Sequence, residues 1–143
     1  MKTRLLLTIL APAAVGFGCG ETPSTTATFT SLKPTIKTCA SFDSCHSAKS
    51  TLGGGLRLDL ATDPYAALVG APTQAPVVAK LKADFPTLVV AGDAAKSACY
   101  VKMTLASAKD TNYGDRMPQA SLPLDAVMLA NFKSWINAGA KND

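Results

Sequence analysis

Apolar side chains recur at helical spacing near the start of the predicted folded region. Pro34 suits the first turn of a helix, because proline has no N–H to donate and a helix leaves its first N–H groups unpaired. Ile36, Cys39 and Ala40 follow at spacings that put them near one helix face. The pattern predicts a helix from Pro34 to about Phe42.

Three further helices are predicted, and an aspartate stands before each as an N-cap. They are a short helix over 65–69 after Asp63 and Pro64, a helix from Ala94 to about Ala106 after Asp93, and a final helix that starts at the cap Asp125 and ends at Gly139.

The segments between these helices are long and irregular. Residues 47–61, 71–92 and 107–123 are rich in glycine, proline and polar residues, and they are predicted as loops, with one helical turn over 77–82. Only 56–60 alternates between apolar and polar positions, which predicts a short extended stretch. The predicted fold class is all-α, with three to four short helices joined by long loops in one domain over residues 29–143.

The residues before this domain have the pattern of an export leader. Basic residues precede an apolar run over 5–17 that is too short to span a membrane. Residues 1–18 are predicted to be a lipoprotein-type signal peptide, with Cys19 as the lipidated first residue of the mature chain. Residues 19–28 would then form a polar tether. The alternative is ordinary cleavage within 13–18, which leaves Cys19 unmodified.

Export also bears on charge and on partners. The predicted location is lipid-anchored and periplasm-facing, at the outer membrane, where the compartment is oxidising. The chain has 14 basic and 10 acidic residues, but two basic residues lie in the leader, so the remainder carries a net charge of only +2. The chain has no basic run, which argues against nucleic acid as a partner.

Because no serine or acid pair has the context of a hydrolase, we do not expect an enzyme.

The only histidine, His46, directly follows Cys45, and Met117 precedes a proline much later in the chain. This combination is typical of a c-type haem site, in which the cysteine forms a thioether and the histidine and methionine are axial iron ligands. The usual attachment run is C-x-x-C-H, and Phe42 occupies the place of its first cysteine. Cys39 lies about 9 Å of helix rise from Cys45, too far to replace that cysteine. The expected cofactor is one haem c held by a single thioether at Cys45, or no haem at all.

His46 and Met117 also have plain structural interpretations. His46 would then be a solvent-facing loop histidine after a structural cysteine. Met117 would be a loop methionine that fills a gap over the core.

Three segments resemble the small cytochrome-c-like domains of bacterial envelope lipoproteins. They are the run Cys39 to His46, the run Gly92 to Met103, and Gly114-Asp115-Arg116-Met117-Pro118 with the closing Trp135-Ile136-Asn137-Ala138-Gly139-Ala140. The resemblance covers roughly residues 29–141. It implies a cytochrome c-like fold with a single haem, whose axial ligands would be His46 and Met117.

The remaining cysteines are expected to pair in an oxidising compartment. If Cys19 carries lipid and Cys45 carries haem, Cys39 and Cys99 are left as a disulfide, which would stabilise the fold by roughly 2–4 kcal/mol. The alternative bridge, Cys39 to Cys45, would exclude haem attachment. A zinc site of Cys39, Cys45, His46 and Cys99 has suitable ligand types, but its spacing matches no recognised zinc motif.

Two functions from different classes follow. The first is electron transfer by a c-type haem, with redox proteins of the cell envelope as partners. The second is a haem-free interaction or structural module of the envelope, held by disulfides. Phe42 favours the second, because its bulky side chain could fill the space of the missing thioether.

Overall fold

The computed structural model describes residues 27–40, 46–47, 56–58, 63–73, 78–119 and 122–143. The predicted signal peptide, the lipidation residue Cys19 and most of the tether lie outside the described residues. Phe42 and the predicted thioether residue Cys45 also lie outside them.

The described residues form short helices and one small sheet. In chain order these are α1 (Phe29–Cys39), α2 (Pro64–Leu68), α3 (Ala79–Asp84), a 3-10 helix (Ala94–Lys96), α4 (Ala98–Thr104), β1 (Lys109–Asp110), β2 (Gly114–Asp115) and α5 (Ala126–Asn137).

The predicted all-α, cytochrome c-like fold class is wrong, because strands accompany the helices. β1 and β2 pair antiparallel, with Lys109 opposite Asp115, and isolated bridges join Val69 to Val89 and Pro72 to Thr87. The segment 107–123, predicted as a loop, turns back on itself after Asp110. The Asp110 carboxylate accepts from the backbone N–H groups of Asn112 and Tyr113, each at 2.8 Å, and this fixes the turn between β1 and β2. Strands of two residues are too short for the alternation that identifies a strand in a sequence.

Helix α1 begins earlier than the proline pattern predicts. Thr28 caps it, with its hydroxyl accepting from Ser31 N at 3.1 Å and the Ser31 hydroxyl accepting from Thr28 N at 3.1 Å. This reciprocal capping box fixes the start at Phe29. Pro34 therefore lies inside α1, which ends at Cys39 and not near Phe42.

The caps Asp63 and Asp125 are confirmed as the starts of α2 and α5. The helix predicted over 94–106 is interrupted at Ser97, which has extended backbone. The fully buried Ser97 hydroxyl donates to Asp93 O at 2.8 Å and accepts from Val90 N at 2.9 Å. These bonds to main-chain groups outside the helix explain the break.

One hydrophobic cluster, called the main cluster below, holds the fold together. Its buried members are Ala27, Phe29, Leu32, Ile36, Leu58, Leu68, Val89, Ala94, Met103, Phe132, Trp135, Ile136 and Ala140. A second cluster of Leu81, Leu88 and Ala98 lies under α3.

Helices α1 and α5, together with residues 138–143, form a closely joined framework. Phe29 of α1 stacks on Trp135 of α5 with ring centroids 5.4 Å apart. The Trp135 indole N–H donates to Lys141 O at 2.8 Å. Asp143 then reaches the start of α1, where its carboxylate accepts from Phe29 N at 2.8 Å and its carbonyl oxygen accepts from Thr30 N at 2.9 Å. None of the described helices is long and apolar enough to cross a bilayer.

Candidate functional site

His46 is held by its main chain between the end of α1 and the segment 56–58. Its N–H donates to Cys39 O at 3.1 Å, and its carbonyl oxygen accepts from Leu58 N at 2.8 Å. Leu58 is a buried member of the main cluster. The histidine is therefore tied at both backbone groups to residues that pack on the core.

The His46 ring is oriented by a main-chain oxygen. Nδ1 lies 3.3 Å from Leu56 O. A carbonyl oxygen only accepts, so this contact selects the tautomer in which Nδ1 carries the proton and Nε2 carries the lone pair. Histidines that ligate metals are commonly fixed in this way, because the Nδ1–H bond sets the ring orientation and raises the basicity of Nε2.

The hydroxyl of Ser47, next to His46, is a second polar group at this place. Its oxygen is buried, and it has no hydrogen-bond partner among the described residues. Such a group normally has a partner, since burying a hydroxyl without one costs about 1–3 kcal/mol.

Met117 follows β2, and its half-buried side chain packs against the main cluster. Its N–H donates to Lys102 O at 2.9 Å. Met128, also half-buried on the main cluster, differs because its sulfur accepts from the Thr35 hydroxyl at 3.3 Å. Within the described residues the Met117 sulfur accepts no such bond, so it is the thioether better suited to a ligand.

The residues around Met117 are tied to α4 by basic side chains. Lys102 Nζ donates to Tyr113 O at 2.9 Å. Arg116 Nη1 donates to Ala106 O at 3.2 Å, just beyond the end of α4. Buried Arg116 Nε has no partner in the described part of the chain. The sequence did not identify these two residues as supports. A hydrogen bond to a main-chain oxygen does not depend on which side chain the acceptor residue carries, so no sequence pattern indicates it.

The predicted disulfide partners both border the main cluster. Cys39 is the last residue of α1, and its Sγ lies 3.7 Å from Thr35 O. Cys99 lies in the first turn of α4. Burial, with a smaller contribution from the nearby Cys39, raises the pKa of Cys99 to about 12. Both are thiols in the structure; the influence of one on the other indicates proximity, and their bridge stays a prediction.

The donor chemistry fits a haem iron at two of the three predicted positions. The contact of His46 Nδ1 with Leu56 O favours the tautomer that a ligand needs, and Met117 has a half-buried thioether at the edge of an apolar cluster. Cys45 is not described. The described residues contain no group of three or more His, Cys, Asp or Glu side chains that could hold a metal ion, which leaves the zinc alternative without support there.

Met117 packs against the main cluster with its own side chain, and His46 is linked to that cluster through its backbone hydrogen bond with Leu58. The chain matches no known family model, no curated protein and no solved structure.

Proposed function

We propose that this protein is a monohaem electron-transfer protein, with His46 and Met117 as the axial iron ligands and Cys45 as the single thioether attachment. The observation that carries the proposal is the 3.3 Å contact of His46 Nδ1 with Leu56 O, because it prepares Nε2 to bind a metal.

Haem bound here would supply one-electron exchange at iron. The chain's own residues have separate tasks. His46 Nε2 and the Met117 sulfur would hold the iron, and a histidine–methionine ligand pair favours a higher reduction potential. The apolar side chains of the main cluster, which Met117 borders, would help to exclude water from the group. The buried Ser47 hydroxyl offers a hydrogen bond to a polar substituent.

A disulfide between Cys39 and Cys99 belongs to the same proposal. It would join the end of α1 to the start of α4, and α4 in turn contacts the residues around Met117. Such a bridge would link the elements that hold the two backbones, since His46 N donates to Cys39 O at the end of α1 and Met117 N donates to Lys102 O in α4.

The expected cellular setting follows from the leader. We propose export, lipidation at Cys19 and a position facing the periplasm at the outer membrane, with redox proteins of the envelope as partners. No catalytic role and no nucleic-acid partner belong to this proposal.

The test is a pyridine haemochrome assay on the membrane fraction, after expression of the full chain with a cytochrome c maturation system. We expect covalent haem in the wild type, and its loss in Cys45→Ser. Mass spectrometry should find one haem on the Cys45 peptide.

The ligand assignment is tested by absorption spectra of His46→Ala and Met117→Ala. Met128→Ala is the matched control, since Met128 borders the same cluster but its sulfur is engaged by Thr35. We expect altered spectra for the first two variants and an unchanged spectrum for the third.

Absence of covalent haem from the wild type would exclude this function. A Cys45 disulfide found in its place would support the alternative, a haem-free envelope module.

A further inference from the structure

Lys102 contacts the segment that carries Met117 at two points. Its side-chain Nζ donates to Tyr113 O at 2.9 Å. Its carbonyl oxygen accepts from Met117 N at 2.9 Å. One residue of α4 thus holds both ends of residues 113–117, which contain the strand β2.

The Lys102 ammonium group is enclosed by this segment. The side chain is half-buried, and a Cβ on Gly114 would lie 3.5 Å from Nζ. Burial lowers the pKa of Lys102, while Asp115 and Asp110 in the hairpin oppose that shift. A charged donor in such a place forms a stronger hydrogen bond than a neutral one.

No residue from 104 to 119 is buried. Met117 borders the main cluster and Tyr113 contacts the Phe85 ring edge-to-face at 5.5 Å, but both side chains are only half-buried. Hydrogen bonds to and from α4 therefore have a large share in placing this segment, and Lys102 makes two of them, at Met117 N and at Tyr113 O.

We infer that Lys102 is a positioning residue for the Met117 thioether: it fixes residues 113–117 against α4 so that the sulfur is held at the main cluster. The inference rests on the proposed function, in which that sulfur is an iron ligand. Lys102 does not touch iron in this scheme and acts only through Met117.

The test compares Lys102→Met, which keeps the length of the side chain but removes the donor, with Lys102→Arg, which restores a charged donor. Lys133→Met is the matched control, because Lys133 is an exposed lysine on α5. Amide hydrogen exchange at Met117 is measured in the full chain without haem. The reduction potential and the long-wavelength absorption band of methionine-ligated ferric haem are measured in the haem-loaded protein.

We expect Met117 N–H exchange to be roughly tenfold faster in Lys102→Met, which corresponds to the loss of one charge-assisted hydrogen bond. The haem-loaded variant should lose the methionine band and have a lower potential, since the axial methionine raises it. Lys102→Arg should restore both properties, and Lys133→Met should leave them unchanged.

Three results would overturn the inference, and they are distinguishable. Unchanged exchange in Lys102→Met would show that Lys102 does not hold the segment. Faster exchange with an unchanged band and potential would reduce Lys102 to a structural contact. A wild-type protein that takes up no covalent haem would remove the proposed function itself, and the positioning role with it, whatever the exchange shows.

Discussion

The framework and the Met117 loop (residues 105–119) are held in place by different forces. In the framework, Phe29, Trp135 and Ile136 are at most 2% exposed and pack in one cluster. In the Met117 loop no described residue is buried. Met117 and Tyr113 pack only at the edges of the two clusters, and hydrogen bonds from Lys102 and Arg116 to main-chain oxygens join the loop to α4 and the residues just after it.

This difference separates stability from ligand placement. Apolar burial supplies most of the free energy of folding, so substitutions in the framework should affect the whole domain. Single hydrogen bonds contribute about 1 kcal/mol each, so substitutions in the loop should move Met117 while the domain stays folded. The following predictions test that separation, from the largest expected effect to the smallest.

Trp135→Ala should destabilise the domain by about 3–5 kcal/mol, because it leaves a cavity beside Phe29. The measurement is urea denaturation followed by circular dichroism. Val127→Ala, at a position 70% exposed on the same helix, is the control and should cost less than about 0.5 kcal/mol. A cost for Trp135→Ala similar to that of the control would contradict the assignment of the framework as the stabilising region.

Cys99 should resist alkylation in the reduced, folded protein. Its pKa is raised from 9.0 to about 12 by burial and by Cys39, which lowers the thiolate population at neutral pH about a thousandfold. Peptide mapping after timed alkylation would compare its rate with and without urea.

The same raised pKa gives a stability prediction with a definite sign. The folded reduced protein holds the Cys99 proton more tightly than the unfolded chain, so this contribution to stability is intact below pH 9.0 and is lost as the pH rises towards about 12. Cys99→Ala should weaken that part of the pH dependence. Equal alkylation rates for the folded and unfolded chains would show that burial does not protect the Cys99 thiol.

Gly114→Ala should destabilise the Met117 loop by about 2 kcal/mol. Gly114 has φ +75°, where an L side chain is strained, and a Cβ there would lie 3.1 Å from Val78 Cγ2. Gly70→Ala is a close control, because Gly70 has φ +72° with open space around it, and it should cost about 1 kcal/mol.

The difference between the two glycine variants isolates the contact with Val78. Combining Gly114→Ala with Val78→Ala should recover that difference in urea denaturation. If the two single variants cost the same, the close contact with Val78 has no energetic weight.

Asp143→Ala should have the smallest effect, about 1 kcal/mol, because it removes one acceptor for the N–H of Phe29 at the start of α1. Asp143→Asn keeps an acceptor oxygen and should lose less. Thermal denaturation of the two variants would measure the difference, and a larger loss for the asparagine variant would show that charge outweighs the hydrogen bond.

Local rules were enough to predict the helix starts at Asp63 and Asp125, since each aspartate accepts from N–H groups within its own first turn. They failed where a contact came from elsewhere in the chain or where the element was very short. Ser97 interrupts a predicted helix through bonds to Val90 and Asp93, and the hairpin over 109–115 has strands of only two residues.

The candidate site also has a part that local sequence patterns predict and a part that they do not. His46 and Met117 could be singled out from the sequence, because few residue types bind iron. Their supports could not, because Leu56 acts through its carbonyl oxygen, which every residue has, and Lys102 becomes important only when the fold places Tyr113 beside it.

The bonds between Asp143 and the first turn of α1 have a mechanical consequence. A pull on the chain before Ala27 passes from Phe29 and Thr30 into Asp143, and through the Trp135–Lys141 hydrogen bond into α5. The load is carried by the framework, and the Met117 loop lies outside that path. A force applied through a tether at this end would therefore act on the framework and not directly on the segment that carries Met117.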